Sequence, residues 1–398
     1  MRSEFTVALL VESSRGYGGM LLRGVGRYLR IHPRWTMLDP VRSLAGDIPA
    51  WLTRKNCDGV IARIENRRFL NQLVSLKLPV VNLSCRYAVP GIPRLLSDES
   101  VIARMAAEHF LSRGLRHFAF CGFASVSWSA PRRDQFVAYL GRRGYVPAVH
   151  ETGPASGDLI TSEIETTSML RHRDVDVWVR SLPKPCGVMA CNDACGLVVL
   201  AACRRQGIRV PDEVGVLGVD NNETLCELSN PSLSSVQQAA ARIGFEAMVL
   251  LEKMIQTGER PSTLRVFPPE GVVERTSTQT LMVADHYVAE AVRFIHRHAC
   301  EGIDVEQVLE HLADQDMNVS RSTLERGFCR HLNRSPKEEI LRIRLLRAQE
   351  LLRKTGLSLE QIAKQVGIAT ASHLNSLFKR RLGQTPGGVR QRPAALEL

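Results

Sequence analysis

The sequence predicts a two-lobed α/β unit followed by an all-α domain that carries two helix-turn-helix units. Three observations predict it. Short β-rich runs alternate with helical ones over roughly the first 280 residues, the pattern is helical throughout from Asp285, and the whole charge excess lies in that helical part. With 398 residues, 44% of them apolar, the chain exceeds one ordinary core and supports two or three, at about 100 to 200 residues per domain.

VALLV at 7 to 11 reads as a buried first strand, a Gly/Ser loop follows, and MLLRGVGRYLRIH has helical periodicity. DGVIARI (58 to 64) and LPVVNLS (78 to 84) are strand-like, VIARMAAEHFLSRG (101 to 114) is helical, and HFAFCGF (117 to 123) is strand again. Such alternation implies parallel strands joined by crossover helices. The rhythm then resumes with a helix at RRDQFVAYLGRRGY (132 to 145), a strand at CGVMACN (186 to 192), a helix at DACGLVVLAACRRQGI and a strand at EVGVLGVD (213 to 220). Two such units make a clam-shell. Open α/β sheets bind ligands beyond the carboxyl ends of their strands, so the cleft is expected among Glu12 to Gly19, Asp98, Phe123 to Arg132, Asn192 with Asp193, and Asp220 with Asn221. RVFPPEGVVERTSTQT (265 to 280) closes this region as one extended strand and a polar linker. The expected division is 1–275, a linker at 276–285, and 286–398.

The net charge of +11 can be located. Residues 317 to 392 hold 16 Lys and Arg against 5 Asp and Glu, and the rest of the chain is neutral. A basic block on an otherwise neutral protein is the footprint of a polyanion partner such as double-stranded DNA. A solvated helix face accounts for some of these charges but not for their segregation. No stretch approaches the roughly 18 apolar residues of a membrane helix. The N-terminus lacks the cationic and apolar regions of a secretion signal, so a cytoplasmic protein with no membrane partner is expected.

Ten cysteines are scattered without a CxxC pair or a framework spacing, and read as reduced, space-filling thiols. Cys191 with Cys195, and His296 with His298 and Cys300, cluster in sequence, but neither set completes a zinc shell. No metal or cofactor is expected. GYGG at 16 to 19 begins like a dinucleotide loop, yet Leu21 stands where GxGxxG needs its third glycine, and no P-loop, GxSxG or HExxH occurs. An enzyme would need a catalytic set that the sequence does not contain.

DVEQVLEHLADQDMNVSRSTLERGFCRHL (304 to 332) gives a helix, a turn and a second helix capped by Ser320, with Leu324 and Phe328 on its buried face. LSLEQIAKQVGIATASHLNSLFKRRLGQTP (357 to 386) repeats the plan, with Ser358 as cap and Gly367 in the turn. PKEEILRIRLLRAQELLRKT joins them as one long helix, which would place two recognition helices in successive major grooves. These residues resemble the AraC/XylS family of transcription activators over roughly 290 to 392. The resemblance implies that Ser320, Arg321, Ser322 and Thr323 open the first recognition helix, and Thr370, Ser372, His373 and Asn375 the second. Arg321, Arg326, His373 and Asn375 are the candidates for base contacts, with a phosphate contact or plain solvation the alternative for each. Lys379, Arg380 and Arg381 are expected on backbone or solvent. Three departures stand out. ADQDMN makes the first turn about five residues longer than the family's, Ile368 replaces an aromatic after the turn glycine, and Val389 replaces one near the terminal arginine.

The N-terminal lobes resemble the effector-binding domain of LacI-type repressors and periplasmic sugar-binding proteins, through SDESVIARMAAEHFLSRGLRHFAFCGF, ACNDACGLVVLAACRRQGIRVPDEVGVLGVDN and PSLSSVQQ. A LacI-type core ahead of AraC-type helices is the layout of xylose-operon regulators, and this resemblance covers essentially the whole chain. It implies that Arg132 clamps sugar hydroxyls, that Asp220 closes the second lobe's strand beside Asn192 and Asp193, and that Trp128 supplies a stacking face; Arg15, Tyr17 and Gln238 are further cleft candidates. Planar guanidinium and carboxylate groups suit paired hydroxyls, and an indole suits an apolar sugar face. The bland alternatives are helix caps for Asp220 and Asp193, ordinary core for Trp128, and a surface pair for Arg132 with Arg133. The resemblance further implies a homodimer, with the helix around Asp98 to Ser112 contributing, a small-molecule sugar effector favouring a pentose such as D-xylose, an RNA polymerase contact, and activation by lobe closure. The sequence alone equally allows repression. The rivals are a transport-type sugar-binding protein, a regulator with a non-sugar effector, and an architectural nucleic-acid protein.

Overall fold

The computed structural model describes residues 4–12, 16–38, 48–124, 126–152, 172–279, 285–332 and 334–391. The chain divides into two compact units, one of residues 1–111 and 115–279 and one of residues 112–114 and 280–398.

Two six-stranded sheets build the first unit. One takes β1 (Thr6–Leu10), β2 (Thr36–Leu38), β3 (Gly59–Ala62), β4 (Val80–Asn82), β5 (Arg94–Ser97) and β11 (Leu264–Phe267) in the order β11-β5-β4-β3-β1-β2, with every pairing parallel. The other takes β6 (His117–Phe123), β7 (Ala148–Thr152), β8 (Cys186–Ala190), β9 (Val214–Val219), β10 (Ser234–Gln237) and β12 (Gly271–Val273) in the order β12-β10-β9-β8-β6-β7, parallel except where β12 lies on β10. GVIA of β3 and VGVLGV of β9 are buried at every residue. Such strands are apolar without alternation because helices cover both faces of a parallel sheet.

Those helices are α1 (Gly16–Ile31), α2 (Arg67–Ser75), α3 (Glu99–Leu111), α4 (Ser129–Gly141), α5 (His172–Ser181), α6 (Asp193–Arg205), α7 (Glu223–Leu228) and α8 (Ala240–Thr257). α1 and α8 touch backbone to backbone. A Cβ on Gly24 would sit 1.8 Å from the Ala241 carbonyl oxygen, and one on Gly244 would sit 2.0 Å from that of Leu21. Leu21 and Val25 meet Ile243, Ala247 and Met248 in the core around this contact.

The structure corrects three expectations here. GYGG at 16 to 19 is the first turn of α1 rather than part of a loop. The closing stretch is two strands, not one. Pro268 and Pro269 lack the donors a ladder needs, so the chain leaves the first sheet after β11 and joins the second as β12. Ser277 and Thr278, assigned to a linker, are fully buried in a 3-10 turn. Ser277 Oγ donates to the Val216 carbonyl at 2.6 Å, and Thr278 and Ser234 join hydroxyls at 2.7 Å.

The chain passes between the two sheets three times, at Ser97–Asp98, at Gln238–Ala239 and across residues 268–270. The crossings are tied together, because Asp98 N donates to the Phe267 carbonyl and Glu270 N to that of Gln237, both at 2.8 Å. In each sheet the connection reverses direction beside the first strand laid down, between β1 and β3 in one and β6 and β8 in the other. A crevice opens at such switch points.

In the second unit α9 (His286–His298), α10 (Val305–Asp314) and α11 (Arg321–Leu332) enclose one core, with Val292, Leu312, Leu324 and Phe328 at its centre. α13 (Leu359–Gln365), α14 (Ala371–Leu382) and α15 (Pro386–Gln391) enclose another around Ile362, Val366, Leu374 and Phe378. α12 (Pro336–Lys354) serves both, placing Ile340 in the first core and Ala348 and Leu352 in the second. At about 1.5 Å per residue, its 19 residues span roughly 28 Å, near the ~34 Å between successive major grooves. Asp304, Ser335 and Ser358 each close a capping box.

Ile368 and Val389, the two departures from aromatic residues, are both buried in the second core and keep it filled. The long first turn also shrinks. Ala313 and Asp314 belong to α10, so residues 315–320 connect the helices where 366–370 do so in the second unit. Asp316 adopts a left-handed φ of 58°, and Met317 N returns to the Leu312 carbonyl at 2.9 Å.

Candidate functional site

A cavity of about 310 Å³ lies where the strand ends of the two sheets converge, at the lower end of the ~300–1,000 Å³ typical of small-ligand pockets. Tyr17, Trp128, Arg132, Asn192, Asp193, Asp220 and Gln238 all border it. Arg15 lies outside the described residues.

On the second lobe's wall β9 ends at Val219, and the chain turns through two strained residues, Asp220 at φ 109° and Asn221 at φ 49°. Such backbone costs on the order of 1–3 kcal/mol for a residue with a Cβ. Three bonds hold it: Asp220 N to the Val236 carbonyl at 3.0 Å, Asn221 N to Ser235 Oγ at 2.9 Å, and Asn222 N to Asp193 Oδ2 at 2.7 Å. Ser235 Oγ also donates to Asp193 Oδ1 at 2.5 Å, and Gln238 Nε2 donates to Asp220 Oδ1.

Burial, and then the neighbouring Asp220, push the Asp193 carboxyl up to about 8. Burial likewise lifts Asp220, to about 6, against the opposing pull of Arg132, Gln238 and Arg63. The pair shares a dry wall that favours fewer than two charges. Burial raises the Tyr17 phenol, whose hydroxyl lies 3.5 Å from Ser97 Oγ.

Arg132 is 2% exposed. Its Nε and Nη2 donate to the two carboxylate oxygens of Glu99 at 2.6 and 3.0 Å, and its Nη1 donates to the Cys191 carbonyl. Burial works against its charge, and Glu99 more than restores it. The guanidinium carbon lies 5.2 Å from the Trp128 ring centre, so Arg132 already covers one indole face. Arg133 makes a separate pair with Glu151 at 2.6 Å. Asn192 caps α6, accepting from Cys195 N at 2.9 Å.

Sequence reasoning missed Glu99, Arg63, Glu65 and Ser84, which also line the cavity. Reading DGVIARI as strand through Ile64 hid Arg63, while Glu65, the next residue, was passed over; β3 ends at Ala62, so both stand beyond a strand's carboxyl end, the position that singled out the others. Six carboxylates line the cavity against two guanidiniums, a balance that repels anions and suits a neutral polar ligand.

In the second unit α11 and α14 are the second helices of the two helix-turn-helix pairs. Ser320 Oγ accepts from Thr323 N at 3.2 Å, and Thr370 Oγ1 from His373 N at 3.1 Å, so both open their helices as caps. Arg321, Ser322, Arg326, Ser372, His373, Lys379 and Arg380 are exposed, while Asn375 is half-buried. Arg321 is braced by Glu306 at 2.6 Å and Glu325 at 3.3 Å, and Arg326 Nη2 reaches Thr323 Oγ1 at 3.4 Å. Arg381 lies 3.3 Å from Glu338. α12 is fixed to the turn before α10 by Arg344, whose Nε and Nη2 each donate at 2.7 Å to the carbonyls of Ala299 and Ile303.

His296 and His298 do not converge with Cys300: His296 Nε2 faces Glu339 at 3.0 Å and His298 Nδ1 faces Glu301 at 2.9 Å. Among the described residues no helix is long and apolar enough to cross a membrane.

Residues 107–278 match the periplasmic binding protein-like domain family, and residues 315–392 match a helix-turn-helix domain family. The chain is 29% identical over 391 residues to the xylose operon regulatory protein of Haemophilus influenzae, covering 96% of this chain and 97% of that one. It is 30% identical over 393 residues to the xylose operon regulatory protein of Escherichia coli K12, covering 96% and 95%. Among solved structures, the xylose-binding transcription activator xylR aligns over 98% of both chains with a TM-score of 0.60 at 27% identity. A LacI family regulator from Enterococcus faecium with bound ribose covers 68% of this chain and 98% of its own at TM-score 0.55 and 20% identity, a likeness of fold alone.

Proposed function

The chain belongs to the family of xylose operon regulatory proteins, and on that premise we propose that its effector is D-xylose or a closely related pentose and that it activates genes of pentose catabolism. It is a ligand-responsive, DNA-binding transcription regulator; its relatives are regulators, not enzymes. The observation that carries the sugar assignment is the monosaccharide-sized cleft, whose walls place carboxylates and guanidiniums side by side. Adjacent hydroxyls of a sugar both donate and accept, and such pairs of groups answer both at once.

In this reading the three crossings between the sheets act as the hinge. A sugar bonded to both walls binds the closed arrangement better than the open one, and that difference shifts the population toward closure. Two copies of the chain, acting as a homodimer in the cytoplasm, then present their DNA-binding units to repeated half-sites and recruit RNA polymerase. Arg321, Arg326, His373 and Asn375 face base edges, and Lys379 and Arg380 hold phosphates.

Calorimetric titration of the full chain with D-xylose, D-ribose, L-arabinose and ribose 5-phosphate, in parallel with DNA binding to an operator fragment, tests this. Binding of one pentose that tightens or redistributes DNA binding is expected. Tighter binding of the phosphate than of any neutral sugar, or no heat with any of them, would sink the sugar assignment and leave the DNA-binding role.

A further inference from the structure

We propose that Arg63 and Glu65, at the carboxyl end of β3, form a second diol-binding subsite on the first lobe, and that this pair sets which pentose the cleft accepts. The proposal rests on the sugar reading above and deepens it.

Each side chain is at least nine-tenths buried, Arg63 being 8% and Glu65 7% exposed, and both line the cavity. Arg63 Nε is buried with no hydrogen-bond partner among the described residues. Its Nη2 lies 3.7 Å from Glu65 Oε1, an ion pair too long to be a hydrogen bond. A buried guanidinium N–H left unpaired costs on the order of a hydrogen bond to a charged group, so the site is built for an acceptor that comes from outside the chain. Arg132, the other guanidinium of the cleft, has Nε, Nη1 and Nη2 already bonded to Glu99 and the Cys191 carbonyl. Three of its five N–H groups therefore hold the cleft's own wall, and the cleft guanidinium nitrogen that lacks a bonded partner among the described residues is Arg63 Nε, on the opposite wall.

Glu65 supplies the complementary acceptor. Its Oε1 accepts from Ser84 Oγ at 2.8 Å and its Oε2 from Ser127 Oγ at 3.2 Å, and each oxygen keeps a further lone pair for a ligand. Ser127 precedes α4 of the second lobe, so Glu65 already bridges the two walls. The support is rigid: Asn82 Oδ1 accepts from Ile64 N at 3.2 Å and from Ser84 N at 2.9 Å, and the Arg63 guanidinium rests 5.4 Å above the Tyr17 ring.

A donor beside an acceptor fits a pair of neighbouring hydroxyls, one accepting from Arg63 and the other donating to Glu65. Inverting one ring carbon aims one of those hydroxyls elsewhere, leaving a buried group unpaired, which is how such sites discriminate. A phosphate in the same place would meet the Glu65 carboxylate and be repelled.

The test titrates D-xylose, D-ribose, L-arabinose and D-lyxose into the full-length chain as wild type, Arg63→Met, Glu65→Gln and Asp220→Asn, with melting of each sugar-free variant as the folding control. Arg63→Met is expected to weaken the best pentose about tenfold to a hundredfold, the span of one hydrogen bond to a charged group. It is also expected to narrow the ratio between the best and the worst pentose. Glu65→Gln keeps the shape and is expected to narrow the same ratio should Arg63→Met fail to fold. Loss of binding in Asp220→Asn together with unchanged affinity and unchanged ratios in both first-lobe variants overturns the subsite and leaves the sugar reading standing. A wild type that binds none of the four sugars overturns both.

Discussion

Replacing Asp193 by asparagine separates charge from shape in the cleft. The amide fits the same space, accepting from Asn222 N and donating to Ser235 Oγ where the carboxylate accepts from both. In the folded chain burial pushes the carboxyl up to about 8, against the ordinary value of about 3.9 in the unfolded chain. Between those values the folded state holds a proton that the unfolded state has lost, so wild-type stability falls as pH rises, by at most about 1.4 kcal/mol per pH unit. Above pH 8 both states are ionised and the decline stops. Burial lifts the neighbouring Asp220 carboxyl as well, so the decline between about pH 6 and 8 belongs to the pair, with Asp193 the more strongly raised of the two. The loss across that interval is about 2 to 3 kcal/mol. At roughly 2–4 °C per kcal/mol for a unit of this size, Asp193→Asn should melt at the wild-type temperature or slightly below it near pH 6, and gain roughly 5–10 °C on wild type by pH 8. Circular dichroism melts of both proteins across that range measure it. Parallel curves, with a difference independent of pH, would refute a buried, protonated Asp193.

Four further outcomes are expected. Glu339 is fully buried, and although burial pulls its carboxyl up, Arg342, His296 and Arg334 hold it well below the usual carboxylate range. Glu339→Ala removes the buried carboxylate that Arg334, Arg342 and His296 share and should cost about 3–5 kcal/mol, read as early melting of the DNA-binding unit. Wild-type Glu339 contributes stability above about pH 4.3 and loses it as pH falls toward its lower folded value, so the mutational difference should shrink in acid. Gly244→Ala drives a methyl into the Leu21 carbonyl and should cost about 1–3 kcal/mol in the sensor's denaturant midpoint; a neutral result would mean α1 and α8 stand farther apart. Arg380→Ala should weaken all DNA sequences alike and reduce the slope of log affinity against log salt by about 0.9, whereas Asn375→Ala should cost about 1–3 kcal/mol on one operator and relax preference at one base pair, both by fluorescence anisotropy.

Much of the layout was legible because its causes are local. Buried parallel strands are apolar runs, and helices begin at capping residues, so HFAFCGF and the Ser358 cap could be placed directly. GYGG misled because glycines there serve close packing: a Cβ on Gly18 would lie 1.7 Å from the Glu12 carbonyl oxygen, a contact that no local pattern encodes. The passage of β11 and β12 into different sheets was equally invisible, since a strand's partner is a matter of topology. Within the cleft, residues after strands with clear ends were found, whereas Arg63 was lost to a strand end misplaced by two residues, and Glu65 carried no local signal beyond its place after that strand. Glu99 escaped because it begins a helix, and its role comes from Arg132, far along the chain.

β10 is four residues long, and two of them face different business. Ser235 bonds the cleft carboxylate of Asp193, while Ser234 bonds the hydroxyl of Thr278 and the Arg275 carbonyl, in the last stretch before the DNA-binding unit begins. The residue that braces the cleft carboxyl and the residue that anchors the sensor's last turn are thus joined by a single peptide bond, so one short strand fixes the position of both.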